Sequence, residues 1–469
     1  MQWYKLLTEK QVEQVHEESL LILEQIGIIF HYEPALEILS KGGAKVEGKR
    51  VFFPRKLVEE QIKKAPSEFT LYARNPEKNV IIGGDNIVFI PGYGAPFVTD
   101  LDNGRRMGTL KDFDNFTKLT GASIYQDLCS GVVIEPNDVP HEIRHVQMIY
   151  STIKNSDKCF MGSSMGVEGA KDSIKMASIL FGDQRELVKK PRFISILCSL
   201  TPLTYDERML GAIMEYAKAG QPQLISSLAI AGATGPVTLI GTLALQNAEV
   251  LAGIALAQFV REGTPVVYAG SSSNAEMHSG NLCIGSPEMA INTVSTAQMG
   301  KYYNLPCRGG GAISDAKIPG AQAAYESMMN LLMAEASGIN MVLHTAGMLE
   351  SYMTMSYEKF IIDDEICGMV KRIKKGYEVT EDTLALDVIK QVGPGGQFLD
   401  TDHTLKHFRS EFYEPRLSDR DNFEIWKAKG SQSTIENANK IWKEMIEEYE
   451  TPELPPDIDK DFQKFIKSI

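Results

Sequence analysis

The chain has 469 residues and a mass of 52.0 kDa, and its 48 Lys and Arg against 61 Asp and Glu leave a formal charge of −13. This acidic balance, with a pI near 5.3, argues against a nucleic-acid binder, which needs basic surface to neutralise phosphates. No run of 18 apolar residues is present, and the most apolar window, Val250 to Val260, already contains Gln258, so no membrane span is expected.

The first 18 residues lack the basic-then-apolar order of a secretory signal. Six cysteines, no two closer than 24 residues, read as reduced thiols rather than a disulfide framework or a zinc ribbon. A cytoplasmic protein is expected.

In chain order, Thr8 can cap a helix over 8–26, where Val12, Val15, Leu20, Leu21, Leu23 and Ile26 recur at helical spacing until Gly27. A second helix pattern (34–41) stops at Gly42-Gly43. An alternating stretch (45–53), a helix over 55–64 and a strand-like FTLYAR (69–74) follow. Residues 1–107 therefore read as an N-terminal α+β cap.

From 108 the rhythm changes. Short apolar runs at 130–136, 159–165, 191–203, 222–233, 264–273, 305–314 and 339–347 alternate with helix-grade segments, the last at 357–374. Alternating β and α units imply a parallel sheet with crossover helices. Seven visible units and one hidden strand would close a (β/α)8 TIM barrel over 108–385. The rival, a doubly wound sheet, should carry a glycine-rich phosphate loop early, and none is present. Residues 386–469 read as a loop and helical extension packing on the barrel, with a helix over 433–448.

In such barrels chemistry sits at the carboxyl ends of the strands. Reading off the residues that close each run gives Glu135, Ser163, Ser164, Ser199, Thr201, Gly232, Thr234, Ser271 to Asn274, Arg308 to Gly311, and His344. This rim is rich in Gly, Ser and Thr and poor in ionisable groups, so acid-base hydrolysis is disfavoured. The run Gly309-Gly310-Gly311 after Arg308 fits either backbone amides approaching a ligand, with Arg308 forking onto a carboxylate, or a tight strand-to-helix turn with Arg308 in a structural salt bridge. His344 fits either a buried, carbonyl-satisfied histidine or a site residue. A metal reading from His278, Cys283 and Cys307 is weak, because no close Cys pair or HxH supplies the geometry. Tyr93, Phe97, Tyr352, Tyr357 and Phe398 lie near strand ends or glycines, and together would suit an aromatic cage for a quaternary ammonium.

Five segments, PRKLVEEQIKKAPSEFTLYARNP (54–76), GYGAPFVTDLDNGRRMGTLKDF (92–113), GAISDAKIPGAQAAYE (311–326), HTAGMLESYMTMSYEKFIIDDE (344–365) and GPGGQFLDTDHTLKHFRSEFYEP (393–415), resemble the trimethylamine methyltransferase family in order along nearly the whole chain. The resemblance implies a (β/α)8 barrel. Founding members carry pyrrolysine, whereas this sequence holds only the standard twenty residues, so it is similar to the non-pyrrolysine branch that demethylates quaternary amines. It implies methyl transfer from glycine betaine to the Co(I) corrinoid (cobalamin) of a partner protein or supplied free. No intrinsic metal and no nucleic-acid or membrane partner are expected, and a homo-oligomer is.

Within that reading Arg308 and His344 would hold the carboxylate. Tyr93, Phe97, Tyr352 and Phe398 would face the ammonium, and Gly309, Gly310, Gly311, Ser271 and Asn274 would face the corrinoid. No residue is assigned to a catalytic proton transfer. The alternatives are the same reaction on proline betaine, carnitine or butyrobetaine, a zinc-dependent corrinoid methyltransferase using Cys307, and a non-catalytic betaine-binding protein.

Overall fold

Eight short apolar runs form the wall of one barrel in a computed structural model that describes residues 3–469, the side chain of Gln184 excepted. The strands are β1 (Val88–Ile90), β2 (Leu128–Cys129), β3 (Cys159–Met161), β4 (Phe193–Cys198), β5 (Gln223–Ser227), β6 (Val266–Gly270), β7 (Cys307–Gly310) and β8 (Met341–Leu343). All are parallel, their order around the wall follows the sequence, and β8 pairs with β1. The seam between β1 and β2 is closed by Asp127, whose N–H donates to the Phe89 carbonyl at 2.8 Å while its carboxylate accepts the Phe89 N–H at 2.8 Å. A helix follows each strand, from Leu110–Ala122 after β1 to Tyr357–Lys375 after β8, which makes this a (β/α)8 barrel.

The hidden strand is β1, and it lies inside the 1–107 stretch read as a cap. Ile87-Val88-Phe89-Ile90, set between Asn86 and Pro91-Gly92, is too short an apolar run to announce a barrel strand. The wall also differs at β2. The strand is Leu128–Cys129, and most of SGVVIEP runs on as a rim loop whose Ile134 bridges to Ala95.

Period-two alternation points Val88, Ile90, Leu128, Met161, Ile194, Ile196, Leu224, Val267, Ala269, Met341 and Leu343 into one apolar cluster inside the barrel. Phe69, Leu71 and Ile82 of the hairpin Glu68–Leu71/Val80–Gly83 join it and seal one end. At the other end two small sheets flank the mouth. One pairs Phe97–Asp100 with Gly104–Met107 and Thr354–Ser356, and the other joins Ile230–Ala231, Ser273–Ala275 and Leu282–Cys283.

The first helix, Glu9–Leu21, opens on a capping box between Thr8 and Gln11 and runs through a π turn to Gly27, where φ is +73°. Leu239–Val260 is long and apolar enough to cross a membrane, but it is buried between the wall and the N-terminal helices. At the far end, Trp442 of the helix Thr434–Glu448 stacks on Tyr357 at 4.4 Å, and Phe462 of Pro456–Ile466 packs against Tyr150.

Candidate active site

β7 decides which way Arg308 points. Its neighbours face the outer helices: the Cys307 thiol meets the Gly338 carbonyl, and a Cβ at Gly309 would lie 2.7 Å from Thr293. Arg308 therefore projects into the barrel, where it is 1% exposed. One guanidinium nitrogen donates to the Gly270 carbonyl at 3.2 Å and to the Ser271 hydroxyl, while Nε has no partner. No ion pair among the described residues includes Arg308, although burial is what pulls its pKa down. A guanidinium stays charged in any protein, so this is a desolvated cation with no anion beside it.

His344 follows β8 with φ +65° and is buried. Its Nδ1 accepts the Tyr93 backbone N–H at 3.2 Å, which leaves the ring proton on Nε2. Burial, and then the charge of Arg308, hold its pKa well below the usual histidine range, so the ring is neutral near pH 7. The Tyr352 ring leans on it with centroids 4.6 Å apart.

Tyr352 arrives by an unusual route. Glu350, Ser351 and Tyr352 have φ values of +52°, +52° and +76°, three successive non-glycine residues in the left-handed region. Each such residue costs about 1–2 kcal/mol. The turn is clasped by Asp315, which accepts from the Ser351 hydroxyl at 2.6 Å and from the Ile284 and Gly285 amides at 2.9 Å. Arg105 holds Glu350 at 3.0 Å from outside. The Tyr352 hydroxyl has no partner, and burial pushes its pKa up to about 12 against the pull of Arg308.

Tyr93, Ser271, Arg308, His344 and Tyr352 thus converge at the carboxyl ends of β1, β6, β7 and β8. A cleft of about 350 Å³ runs from Tyr93 past Glu135, Ser163 and Ser164 over the ends of β2 and β3.

The other expected site residues lie elsewhere. The Phe97 ring carries the Arg105 guanidinium at 3.6 Å. Phe398 is 44% exposed in the C-terminal extension, where its carbonyl accepts from Thr401. Asn274 is tied to the Ser286 hydroxyl at 2.9 Å. Gly309, Gly310 and Gly311 are buried, so the corrinoid-facing reading of this run is corrected to close packing. A Cβ at 310 would lie 2.8 Å from Ile313 and one at 311 would lie 3.0 Å from Val342, and Gly309 and Gly310 pair in the ladder with β8. The salt-bridge reading of Arg308 falls too.

Sequence reasoning missed two features. Cys198, the last residue of β4, packs on the apolar cluster inside the barrel, where burial pushes its thiol pKa up against the pull of Arg308, and strand alternation from Ile194 and Ile196 could have placed it there. Glu249, fully buried on Leu239–Val260, accepts from the hydroxyls of Ser199 (2.5 Å), Thr201 (2.9 Å) and Ser227 (2.7 Å) and from the Leu203 amide (2.7 Å). Those rim hydroxyls are therefore committed to holding loops, and the signal was a lone carboxylate in the apolar run LALQNAEVLAG (243–253).

His278, Cys283 and Cys307 do not assemble. Among the described residues the group close enough to share a metal ion is Asp382, His403 and His407 in the extension, where Asp382 already pairs with Lys406 at 2.5 Å.

A family model described as trimethylamine methyltransferase (MTTB) matches residues 1–468. The chain is 55% identical to a glycine betaine methyltransferase of Desulfitobacterium hafniense (strain Y51), over 99% of this chain and 96% of that protein. It is 31% identical to a proline betaine:corrinoid methyltransferase of Eubacterium limosum, over 89% and 87% of the two chains. The crystal structure of the Methanosarcina barkeri monomethylamine methyltransferase superposes with a TM-score of 0.57 over 96% of this chain and 90% of that one. At 10% identity that likeness concerns the fold alone.

Proposed function

From the premise that the chain belongs to the trimethylamine methyltransferase family, we propose that it transfers a methyl group from glycine betaine to the Co(I) corrinoid of a partner protein, releasing dimethylglycine. The observation that carries the substrate choice is Arg308, a buried cation at the carboxyl end of the barrel with an unpartnered Nε and, among the described residues, no carboxylate paired with it. A betaine supplies the missing anion.

The chemistry suits the neutral rim. A quaternary nitrogen already bears its charge, so the leaving tertiary amine departs with the bonding electron pair and needs no proton. The Co(I) corrinoid is the second substrate and supplies the nucleophilic electron pair for in-line attack on the methyl carbon. This chain's residues have to fix the zwitterion, aim one methyl outward and exclude water. Arg308 anchors the carboxylate, and His344, neutral with its proton on Nε2, is a second donor. The faces of Tyr93 and Tyr352 meet the trimethylammonium head, each contributing about 0.5–2 kcal/mol.

The experiment is anaerobic incubation with reduced cobalamin and a panel of glycine betaine, proline betaine, carnitine and butyrobetaine, following methylcobalamin by absorbance. Fastest turnover of glycine betaine supports the proposal. Tight betaine binding with no methylcobalamin, or turnover that disappears on chelation of zinc, ends it.

A further inference from the structure

His403 and His407 lie four residues apart on the helix Asp402–Glu411, a spacing that sets both rings on one face, and their centroids are 4.4 Å apart. Asp382 reaches them from the short helix Glu381–Leu384. His407 Nε2 lies 3.1 Å from the Asp382 carboxylate, and His403 Nε2 lies 3.1 Å from the Asp382 carbonyl. One ligand atom from each of the three residues falls within 4.8 Å of the other two. Ligands held at about 2.0–2.1 Å around a tetrahedral zinc stand roughly 3.3 Å from one another. The His407–Asp382 spacing is therefore already that of a ligand pair, and a small side-chain motion brings in His403. Asp382 stands 21 residues before His403, which hides the group from a reading of sequence spacing.

Both helices are fixed without an ion. Thr380 caps Glu381–Leu384 through Thr383, and Thr401 caps Asp402–Glu411 through Thr404. Neither buries a residue, and among the described residues the hydrogen bonds that join the two all end on Asp382. Helices in water are held mainly by the apolar face they bury. This pair instead meets at one polar point, and a metal bound there would add the tie that a core does not supply.

We infer that Asp382, His403 and His407 form a binding site for a divalent cation of the zinc type, which clasps the two helices. Two imidazoles and one carboxylate suit a borderline cation, whereas magnesium and calcium take oxygen ligands. Three protein ligands leave a fourth position to water. Lys406, whose ammonium donates to the Asp382 carboxylate at 2.5 Å, occupies the place of the cation. Its side chain is exposed, and an exposed ion pair is weak, so a dication displaces it into water. The site shares no residue with the mouth of the barrel, so chelation is expected to leave methyl transfer in place.

The test is calorimetric titration of zinc into the chelator-washed full chain at neutral pH, with excess magnesium present. The wild type is expected to take up one zinc ion at micromolar affinity or tighter, and the His403→Ala/His407→Ala variant to lose that uptake. Lys406→Gln removes the competing ammonium and should bind zinc roughly two- to fivefold more tightly. Should the double variant unfold, carbethoxylation of the unaltered chain decides, because zinc should protect His403 and His407 from diethylpyrocarbonate, read by peptide mass spectrometry. No uptake by the wild type, equal uptake by the double variant, weaker binding by Lys406→Gln, or no protection of the two histidines overturns the inference. None of these readouts involves turnover, so their failure is distinct from failure of the methyl-transfer reading.

Discussion

Burial of Arg308 is costly, and among the described residues only neutral partners, the Gly270 carbonyl and the Ser271 hydroxyl, meet its charge. Taking a charge out of water costs several kcal/mol unless an opposite charge is close. A structural arginine would have acquired an acid, and Asp315, Glu249 and Glu326, the acids that brace the surrounding loops, instead accept from hydroxyls and amides. Arg308→Met should therefore lower kcat/KM for glycine betaine roughly 30- to 1000-fold while the Tm holds or rises. Normal turnover in that variant would remove the anchor, and an unfolded variant would make the arginine structural.

His344 gives the pH expectation at the same scale. Its folded pKa lies well below the usual value, through burial first and Arg308 second. The unfolded chain takes up that proton near pH 6.5 and the folded chain refuses it, so stability is full above pH 6.5 and declines as pH falls toward the folded pKa. Melting curves of wild type and His344→Gln across this range should differ in slope, the variant being flatter. Methyl transfer itself should stay level between pH 6 and 8, since His344 does not titrate there and the leaving amine needs no proton. A bell with two enzyme pKa values in that window would contradict both points.

At the scale of elements, β7 shows how one strand serves the wall and the mouth. Arg308 points inward because Cys307 and Gly309 pack outward, and Gly309 is glycine because a Cβ would lie 2.7 Å from Thr293 and 3.1 Å from Ile339. Gly309→Ala should cost about 1–3 kcal/mol through overpacking, seen as a lower Tm, with betaine turnover preserved at low temperature. Loss of turnover at an unchanged Tm would return the glycines to the mouth.

The same strand explains what the sequence made legible. Six wall strands lay inside the runs that could be read, each ending in Gly, Ser, Thr or His before a helix, whereas β2 is the two residues just before the run SGVVIEP. β1 was not legible, because the four apolar residues Ile87 to Ile90 between turn formers carry no period. Arg308 and His344 could be read as strand-end residues, and Tyr93 and Tyr352 were expected only as aromatics of a cage. Nothing in Glu-Ser-Tyr encodes three left-handed residues. That turn is imposed by the Asp315 clasp, a tertiary contact, as Phe97 is taken out of reach by Arg105, a contact from the neighbouring strand.

Over the whole molecule, the barrel's single open end dictates how a zwitterion must enter. The hairpin bearing Phe69, Leu71 and Ile82 seals the other end, so the methyl leaves through the mouth by which the substrate came. On the proposed reading the carboxylate lies inward, against Arg308, with the trimethylammonium head toward the mouth beside Tyr93 and Tyr352. Two analogues divide these contributions. Choline keeps the head and lacks the carboxylate. The carbon isostere 3,3-dimethylbutanoate keeps the carboxylate and has a neutral head of nearly the same shape. A desolvated guanidinium–carboxylate pair outweighs aromatic contacts worth about 0.5–2 kcal/mol each. Hence 3,3-dimethylbutanoate should inhibit competitively and more strongly than choline, choline should be a poor methyl donor, and Arg308→Met should abolish the preference between the two. Stronger inhibition by choline, or its use as a donor at a rate near that of glycine betaine, would place the grip on the cation and leave Arg308 without its assigned part.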